Sequence, residues 1–197
     1  MPVQLSFDKN RSAVLCMDYQ TSIVSIYAKN PDMTARAADL LAHTRSSGMR
    51  AIYVQVGFRA GFPEIGARSG LFHAMKNSER HRQLFEGTAG AIHPAVAPEG
   101  NDVVITKHRV SAFAGTDLDL ILRANDIDTL ILFGIATSGV VLSTLLHAAD
   151  ADYRLVVIKD CCADIDPDLH ASLVDKLFPS RAAVVTAGEF LEALRAG

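Results

Sequence analysis

Residues 128–134, DTLILFG, are almost entirely apolar. A strand with one face in water alternates apolar and polar side chains. An unbroken apolar run of this length therefore fits a strand covered on both faces. YRLVVIKD at 153–160 repeats the pattern, and AVLCM at 13–17 and DVVIT at 102–106 are shorter versions of it. MRAIYVQVG at 49–57 adds a run rich in β-branched residues. Between these runs the apolar period changes. MTARAADLLAHTRSSG at 33–48 sets Ala37, Leu40, Leu41 and Thr44 at helical spacing and stops at Gly48. TDLDLILRAN at 116–125, SGVVLSTLLHAAD at 138–150 and DPDLHASLVDKLF at 166–178 read as further helices, the last with Asp166 as N-cap and Pro167 at the first helical position. RAAVVTAGEFLEAL at 181–194 closes with a strand and a short helix. Thr116 with Asp119, and Thr186 with Glu189, have capping-box spacing. This alternation selects a doubly wound α/β fold with a mainly parallel sheet, whose right-handed crossovers place helices on both faces.

One stretch breaks the alternation. Residues 58–101 are long, Gly-rich and polar, and read as a loop and helical excursion inside a single domain spanning 1–197. A chain of 197 residues is long enough for one sizeable core. Its net charge of −3 provides no field for nucleic acid or an anionic membrane, and no apolar run approaches the length of a membrane span. Three cysteines fit no disulfide framework, and the polar opening MPVQLSFDKNRS lacks the apolar core of a signal peptide. A reducing, cytoplasmic setting follows. His81, His93 and His108 form no ligand-spaced cluster with Asp or Cys, so no metal is expected. GFRAG, GARSG and GTAG do not match a phosphate loop, and Gly134 with Gly139 is no dinucleotide fingerprint, so no cofactor is expected.

Open parallel sheets bind ligands outside the carboxyl ends of their strands. The first strand ends in Asp18, Tyr19 and Gln20, and the third in Lys107, His108 and Arg109. The 128–134 strand runs into Gly134–Gly139, and the next ends in Asp160, Cys161 and Cys162. A carboxylate and an ammonium converging on one pocket would act on each other. The charge of Lys107 would lower the pKa of Asp18 and burial would raise it, and the balance decides whether Asp18 is an acid or a base. An Asp after a strand also serves as a turn residue, and a Lys there also stands in solvent. The helix start at Ser138 offers backbone N–H groups that can hold an oxyanion or carboxylate, or be satisfied by Thr137, Ser138 or water.

AVLCMDYQ, VVITKHRVSAF and GIATSGVV, in that order, resemble the motifs of the isochorismatase-like hydrolase superfamily, often called cysteine hydrolases. The likeness runs from Ala13 to Phe190. It implies a six-stranded sheet of order 3-2-1-4-5-6, a cis peptide between Ala136 and Thr137, a small-molecule substrate or ligand, and a homodimer or higher homo-oligomer. It assigns the catalytic Asp to Asp18 and the catalytic Lys to Lys107. The corner Ala136, Thr137, Ser138, Gly139 and Val140 would supply backbone donors. Tyr19, Gln20, Arg59, Arg68, Arg109 and Phe113 are the candidates for substrate binding, the arginines through bidentate pairing with carboxylates.

The family signature Gly-x-x-Thr-x-x-Cys-Val sets Val140 where most relatives carry the nucleophilic Cys. Valine has neither lone pair nor proton and cannot form the covalent intermediate expected for amide hydrolysis in this family. Cys16 shares a strand with Asp18, and period-two alternation would keep the two on one face. Cys161 and Cys162 lie at a neighbouring strand end and could approach the pocket edge. The nicotinamidase branch carries an Asp/His metal cluster after the second strand, and YVQVGFRAG has none. True isochorismatases also lack the Cys, and in that branch an Asp at the first strand end is thought to protonate a vinyl ether before water completes cleavage. The resulting expectation is non-covalent acid/base hydrolysis of a small molecule by Asp18 and Lys107. The alternatives are a catalytically inactive small-molecule-binding or regulatory protein and an amidohydrolase with an unconventional nucleophile. VGFRAGFPEIGARSG is unlike the substrate-binding stretch of known isochorismatases, so the substrate does not transfer.

Overall fold

The structure is a computed structural model and describes residue 5, residues 7–28, residue 30 and residues 32–196. Residues 1–4, the start of the polar opening, lie outside it. In chain order the elements are β1 (Ser12–Met17), α1 (Thr21–Tyr27), α2 (Asp32–Ser46), β2 (Arg50–Val56), α3 (Gly70–Lys76), α4 (Glu79–Gln83), α5 (Gly87–Gly90), β3 (Val103–Lys107), α6 (Leu118–Ala124), β4 (Thr129–Gly134), α7 (Leu142–Asp150), β5 (Arg154–Ile158), α8 (Pro167–Ser172), β6 (Ala183–Val185) and α9 (Ala187–Ala196). The strands form one six-stranded sheet in the order β3-β2-β1-β4-β5-β6, and every neighbouring pair is parallel. All carboxyl ends therefore open on the same edge.

The apolar runs are where burial is deepest. Every residue of β1 and β4 is buried, as central strands covered on both faces require. β3 lies at the sheet edge, with Ile105 and Lys107 buried and Val104 and Thr106 exposed. Gly134 is fixed by the β1–β4 approach. A Cβ there would stand 2.5 Å from the carbonyl oxygen of Met17. The helical stripe expected at 33–48 buries Met33, Ala37, Leu40, Leu41 and Thr44 in α2. Among the described residues no helix is long and apolar enough to cross a membrane.

Two of the three caps read from the sequence form. Asp166 accepts from the N–H groups of Asp168 and Leu169. Glu189 accepts from the Thr186 N–H at 2.7 Å, while the Glu189 N–H donates to Thr186 Oγ1 at 3.2 Å. The Thr116–Asp119 box does not form. The helix begins a residue later, on the Asp117 cap, the Thr116 hydroxyl donates to Ala112 O at 2.6 Å, and Asp119 pairs with Arg123 at 3.1 Å. Two expected helices are divided. A π turn at Thr137–Val141, with non-helical Gly139 inside it, precedes α7. A second π turn at Leu173–Leu177 follows α8. α1 has no counterpart in the sequence reading.

The 58–101 excursion holds α3, α4 and α5 and carries its own small core of Phe62, Ile65 and Met75, packed with Phe58, Phe72 and Phe85. Gln20, fully buried, fastens it to the sheet. Its Nε2 donates to Val56 O at 2.9 Å and to Gly90 O at 2.6 Å, and its Oε1 accepts from the Val56 N–H at 2.8 Å. His93 N–H donates to Tyr19 O at 2.8 Å beside this clamp. Replacing Gln20 by Leu leaves buried backbone groups without partners, each worth roughly 1–3 kcal/mol. Urea denaturation should show a loss of at least about 2 kcal/mol, and limited proteolysis should cut within 58–101 before any other segment.

Candidate active site

β1 ends at Met17. The next residue, Asp18, takes a left-handed backbone conformation with φ of 55°, unusual for a residue other than Gly. Its N–H still donates to Val54 O at 2.7 Å, so the sheet holds the backbone while the chain turns. Lys107, the last residue of β3, is in register with Val56. It therefore shares a face with Val54 and Met17. The carboxylate of Asp18 meets it there, with Oδ2 2.9 Å from Lys107 Nζ and side chains 8% and 3% exposed. Lys107 Nζ also donates to Arg109 O at 3.1 Å. Cys16 is in register with Tyr53, on the opposite face. The expected Cys16–Asp18 alternation is thus broken, because the extended conformation that produces it ends at Met17.

The second carboxylate oxygen, Asp18 Oδ1, is buried and has no hydrogen-bond partner among the described residues. Burial pushes the Asp18 carboxyl above its ordinary pKa, and the charge and hydrogen bond of Lys107, with a smaller pull from the Val56 backbone, recover only part of that shift. Of the two opposing effects, desolvation wins, which favours the neutral acid.

The corner after β4 is held from both sides. Ile135 N–H donates to Met17 O at 3.1 Å and Thr137 N–H to Ala163 O at 2.8 Å. The cis peptide lies between Ile135 and Ala136, one bond before the expected Ala136–Thr137 position, where the chain reverses between those two anchors. Much of the expected donor set is already satisfied. Ser138 N–H donates to Asp164 Oδ2 at 2.7 Å and Gly139 N–H to Ala136 O at 3.1 Å. The Ala136 N–H has no partner among the described residues. Thr137 Oγ1 lies 2.8 Å from His170 Nδ1, and burial pushes the pKa of His170 down against the pull of Asp164 and Asp175. Asp164 and His170 were not legible as site residues. They reach the corner from 26 and 33 residues along the chain, and no local spacing links them to it.

Val140 is 2% exposed and gives the corner a hydrocarbon wall. No thiol replaces it. All three cysteines are free and buried. Burial pushes the Cys16 and Cys161 thiols far up, and Cys162 up to about 12, so thiolates, the reactive form, are suppressed. Cys161 and Cys162 lie in the core rather than at a pocket edge. No group of three or more His, Cys, Asp or Glu among the described residues is placed to hold a metal.

The expected binding residues divide into two groups. Tyr19 is buried with its hydroxyl donating to Cys161 O at 2.8 Å, Gln20 forms the clamp described above, and Phe113 stacks on His147 with ring centroids 4.5 Å apart. These three build the scaffold. Arg59 and Arg109 converge on Glu64 instead. Arg59 pairs with its carboxylate, and Arg109 donates to its carbonyl at 3.0 Å and lies over Phe72. Arg68 is exposed in the run before α3.

The isochorismatase domain family model matches residues 12–189, and the chain belongs to that family. The chain is 31% identical over 195 residues to an isochorismatase family protein of Escherichia coli O157:H7, covering 96% of this chain and 100% of that protein. It is 28% identical over 193 residues to the maleamate amidohydrolase of Pseudomonas putida, covering 94% of this chain and 87% of that enzyme. A solved isochorismatase family protein from Burkholderia thailandensis superposes with a TM-score of 0.81 at 28% identity, covering 94% of this chain and 96% of that one. A cysteine hydrolase from Pseudomonas syringae pv. phaseolicola superposes with a TM-score of 0.86 at 22% identity over 96% of this chain and 95% of that one, a likeness of fold.

Removing the ammonium tests the pair. In Lys107→Met the ionised Asp18 loses its buried partner, which should cost about 3–5 kcal/mol. A carboxyl whose folded pKa is raised contributes stability below its unfolded pKa and loses it as pH rises through the folded value. The deficit should therefore be largest near about pH 8 and shrink towards about pH 5. Urea melts of the variant and parent at both pH values measure it.

Proposed function

We propose that this protein is a small-molecule hydrolase that works by acid–base catalysis without a covalent intermediate. Asp18 is the acid and Lys107 its electrostatic partner. The observation that carries this reading is the unpartnered Asp18 Oδ1. Lys107 engages Oδ2, so the other oxygen is the position for a transferable proton, and burial favours the protonated form.

An acid-labile enol ether suits this arrangement. The Oδ1 proton passes to the terminal carbon of the vinyl group, and the substrate becomes an oxocarbenium ion. Asp18 is then anionic, and the ammonium 2.9 Å away stabilises it as that charge develops. Water adds to the cation, a proton returns to Asp18, and the hemiketal divides into a ketone and an alcohol. The Ala136 N–H is the corner donor available to a substrate oxygen. Amide hydrolysis, the activity named for the Pseudomonas putida relative, is disfavoured here because Val140 is inert and the three thiols are buried and protonated. The reading extends to a homo-oligomer working in the reducing cytoplasm.

A second reading, a small-molecule-binding protein on a hydrolase scaffold, is favoured by the corner itself, where Val140 is hydrocarbon and the N–H groups of Thr137, Ser138 and Gly139 are already engaged. A substrate panel separates the two. An enol-ether carboxylate should turn over, while an N-carbamoyl amino acid and a primary amide should not. Asp18→Asn should lower the rate by about 10²–10⁴-fold with an unchanged far-UV spectrum. The parent rate should fall as pH rises through the elevated Asp18 pKa, because the protonated carboxyl is the active form. Amide turnover that survives Asp18→Asn rejects the mechanism. Saturable binding of panel members without any turnover transfers the assignment to the binding protein.

A further inference from the structure

A cavity opens at the edge of the sheet, beside the carboxyl ends of β2 and β3. Side chains in register on β2 and β3 alternate between faces. Val56 and Lys107 point to the face where Asp18 sits, and Gln55 and Thr106, paired one step earlier, point to the opposite face. Gln55, Thr106, Phe58, Phe85, His108 and Arg59 line a pocket of about 470 Å³ at this edge, which Val56, Gly57 and Gly90 also border. That volume is in the range of small-molecule sites, roughly 300–1,000 Å³. Neither Asp18, Lys107 nor Val140 borders it.

The walls of this pocket are aromatic. Phe58 and Phe85 are half-buried and meet edge to face, with centroids 5.9 Å apart and planes at 88°. The His108 ring lies 6.0 Å from Phe58. Phe58 also packs on Phe62 and Phe72, so the rings that reach the pocket are held in place, and a flat ring can add to them offset or edge to face, as aromatic pairs prefer. The polar groups sit between and beside them. His108 Nδ1 is 2.6 Å from Gly57 O. A carbonyl oxygen only accepts, so Nδ1 carries the hydrogen, and in the imidazole form of the ring Nε2 is an acceptor. Gln55 Nε2 donates to Thr106 Oγ1 at 3.1 Å, leaving the threonine hydroxyl hydrogen and the Gln55 Oε1 to face a ligand. Arg59 stands at the rim, 71% exposed, with Glu64 holding one end of its guanidinium. The remaining donors of that fork suit a carboxylate.

We infer that this pocket is a binding site for a planar aromatic carboxylate, separate from the Asp18–Lys107 pair and independent of the reaction assigned to it. The ring packs on the apolar surface that Phe58 and Phe85 together present to the pocket, the carboxylate meets Arg59, and ring substituents bearing hydrogen reach His108 Nε2 and Gln55 Oε1. The site takes an anion and a flat ring together, so neither feature alone is sufficient.

Benzoate is the probe. Added to the ¹⁵N-labelled full chain, it should produce saturable shifts of the Gln55, Gly57, Gly90 and His108 amides. Thr106→Tyr places a ring inside the pocket from an exposed position on the edge strand and should weaken benzoate at least tenfold, and Phe85→Ala should weaken it as well. Asp18→Asn should leave the affinity within twofold. Cyclohexanecarboxylate, which is not planar, and benzamide, which is not charged, should each bind at least tenfold more weakly than benzoate. Absence of saturable shifts up to the solubility of benzoate overturns the proposal, as does loss of binding in Asp18→Asn. Equal affinity for either control ligand rejects the ligand class. A change in sedimentation of Thr106→Tyr would assign the cavity to a contact between subunits and would also overturn the proposal.

Discussion

The contact between Asp18 and Lys107 is the constraint around which the rest of the carboxyl edge is arranged. A carboxyl group and an ammonium 2.9 Å apart with both side chains nearly fully buried have both lost their hydration. Such a pair contributes little net stability, and is costly if one partner is removed. In the proposed reaction its value is chemical. Desolvation outweighs the neighbouring ammonium and lifts the Asp18 carboxyl, and one of its oxygens is left without a partner. Two residues on, the Gln20 clamp ties the excursion to the end of β2.

The corner after β4 shows what belonging to a family does not convey. The turn is held with Gly134 pressed against Met17 and Thr137 locked to Ala163 and His170. Its decisive position is nevertheless Val140, and a side chain without a lone pair changes the possible chemistry however well the backbone superposes. The fold places a reactive edge, and individual side chains decide what the edge does. The same holds on β3, three strands away, where a one-residue step moves the lining from Lys107 to Thr106 and from a charged face to an aromatic pocket.

Much of the sheet could be read directly. DTLILFG and AVLCM became strands buried at every position because continuous apolar runs have no face to give to water. Asp166 and the Thr186–Glu189 box became caps because those hydrogen bonds span three residues or fewer. Thr116 misled for the opposite reason, since its hydroxyl is taken by Ala112 upstream. α1 was missed because Thr21–Tyr27 is short and buries only Ser22 and Val24, too few for a period to show. The divided helix at 137–150 depends on an irregular Gly139, a conformation that spacing does not encode.

The order of its apolar runs and the chemistry at their ends were enough to determine a doubly wound parallel sheet, a carboxylate after the first strand and an ammonium after the third. Those properties are local, carried by side-chain type and periodicity. Only the tertiary structure decided that Asp18 turns out of its strand to meet Lys107, that burial prevails over their attraction, and that Asp164 and His170 fasten the corner. Distances, desolvation and the pairing of buried polar groups arise when segments far apart in the chain pack together, and no short stretch of sequence contains them.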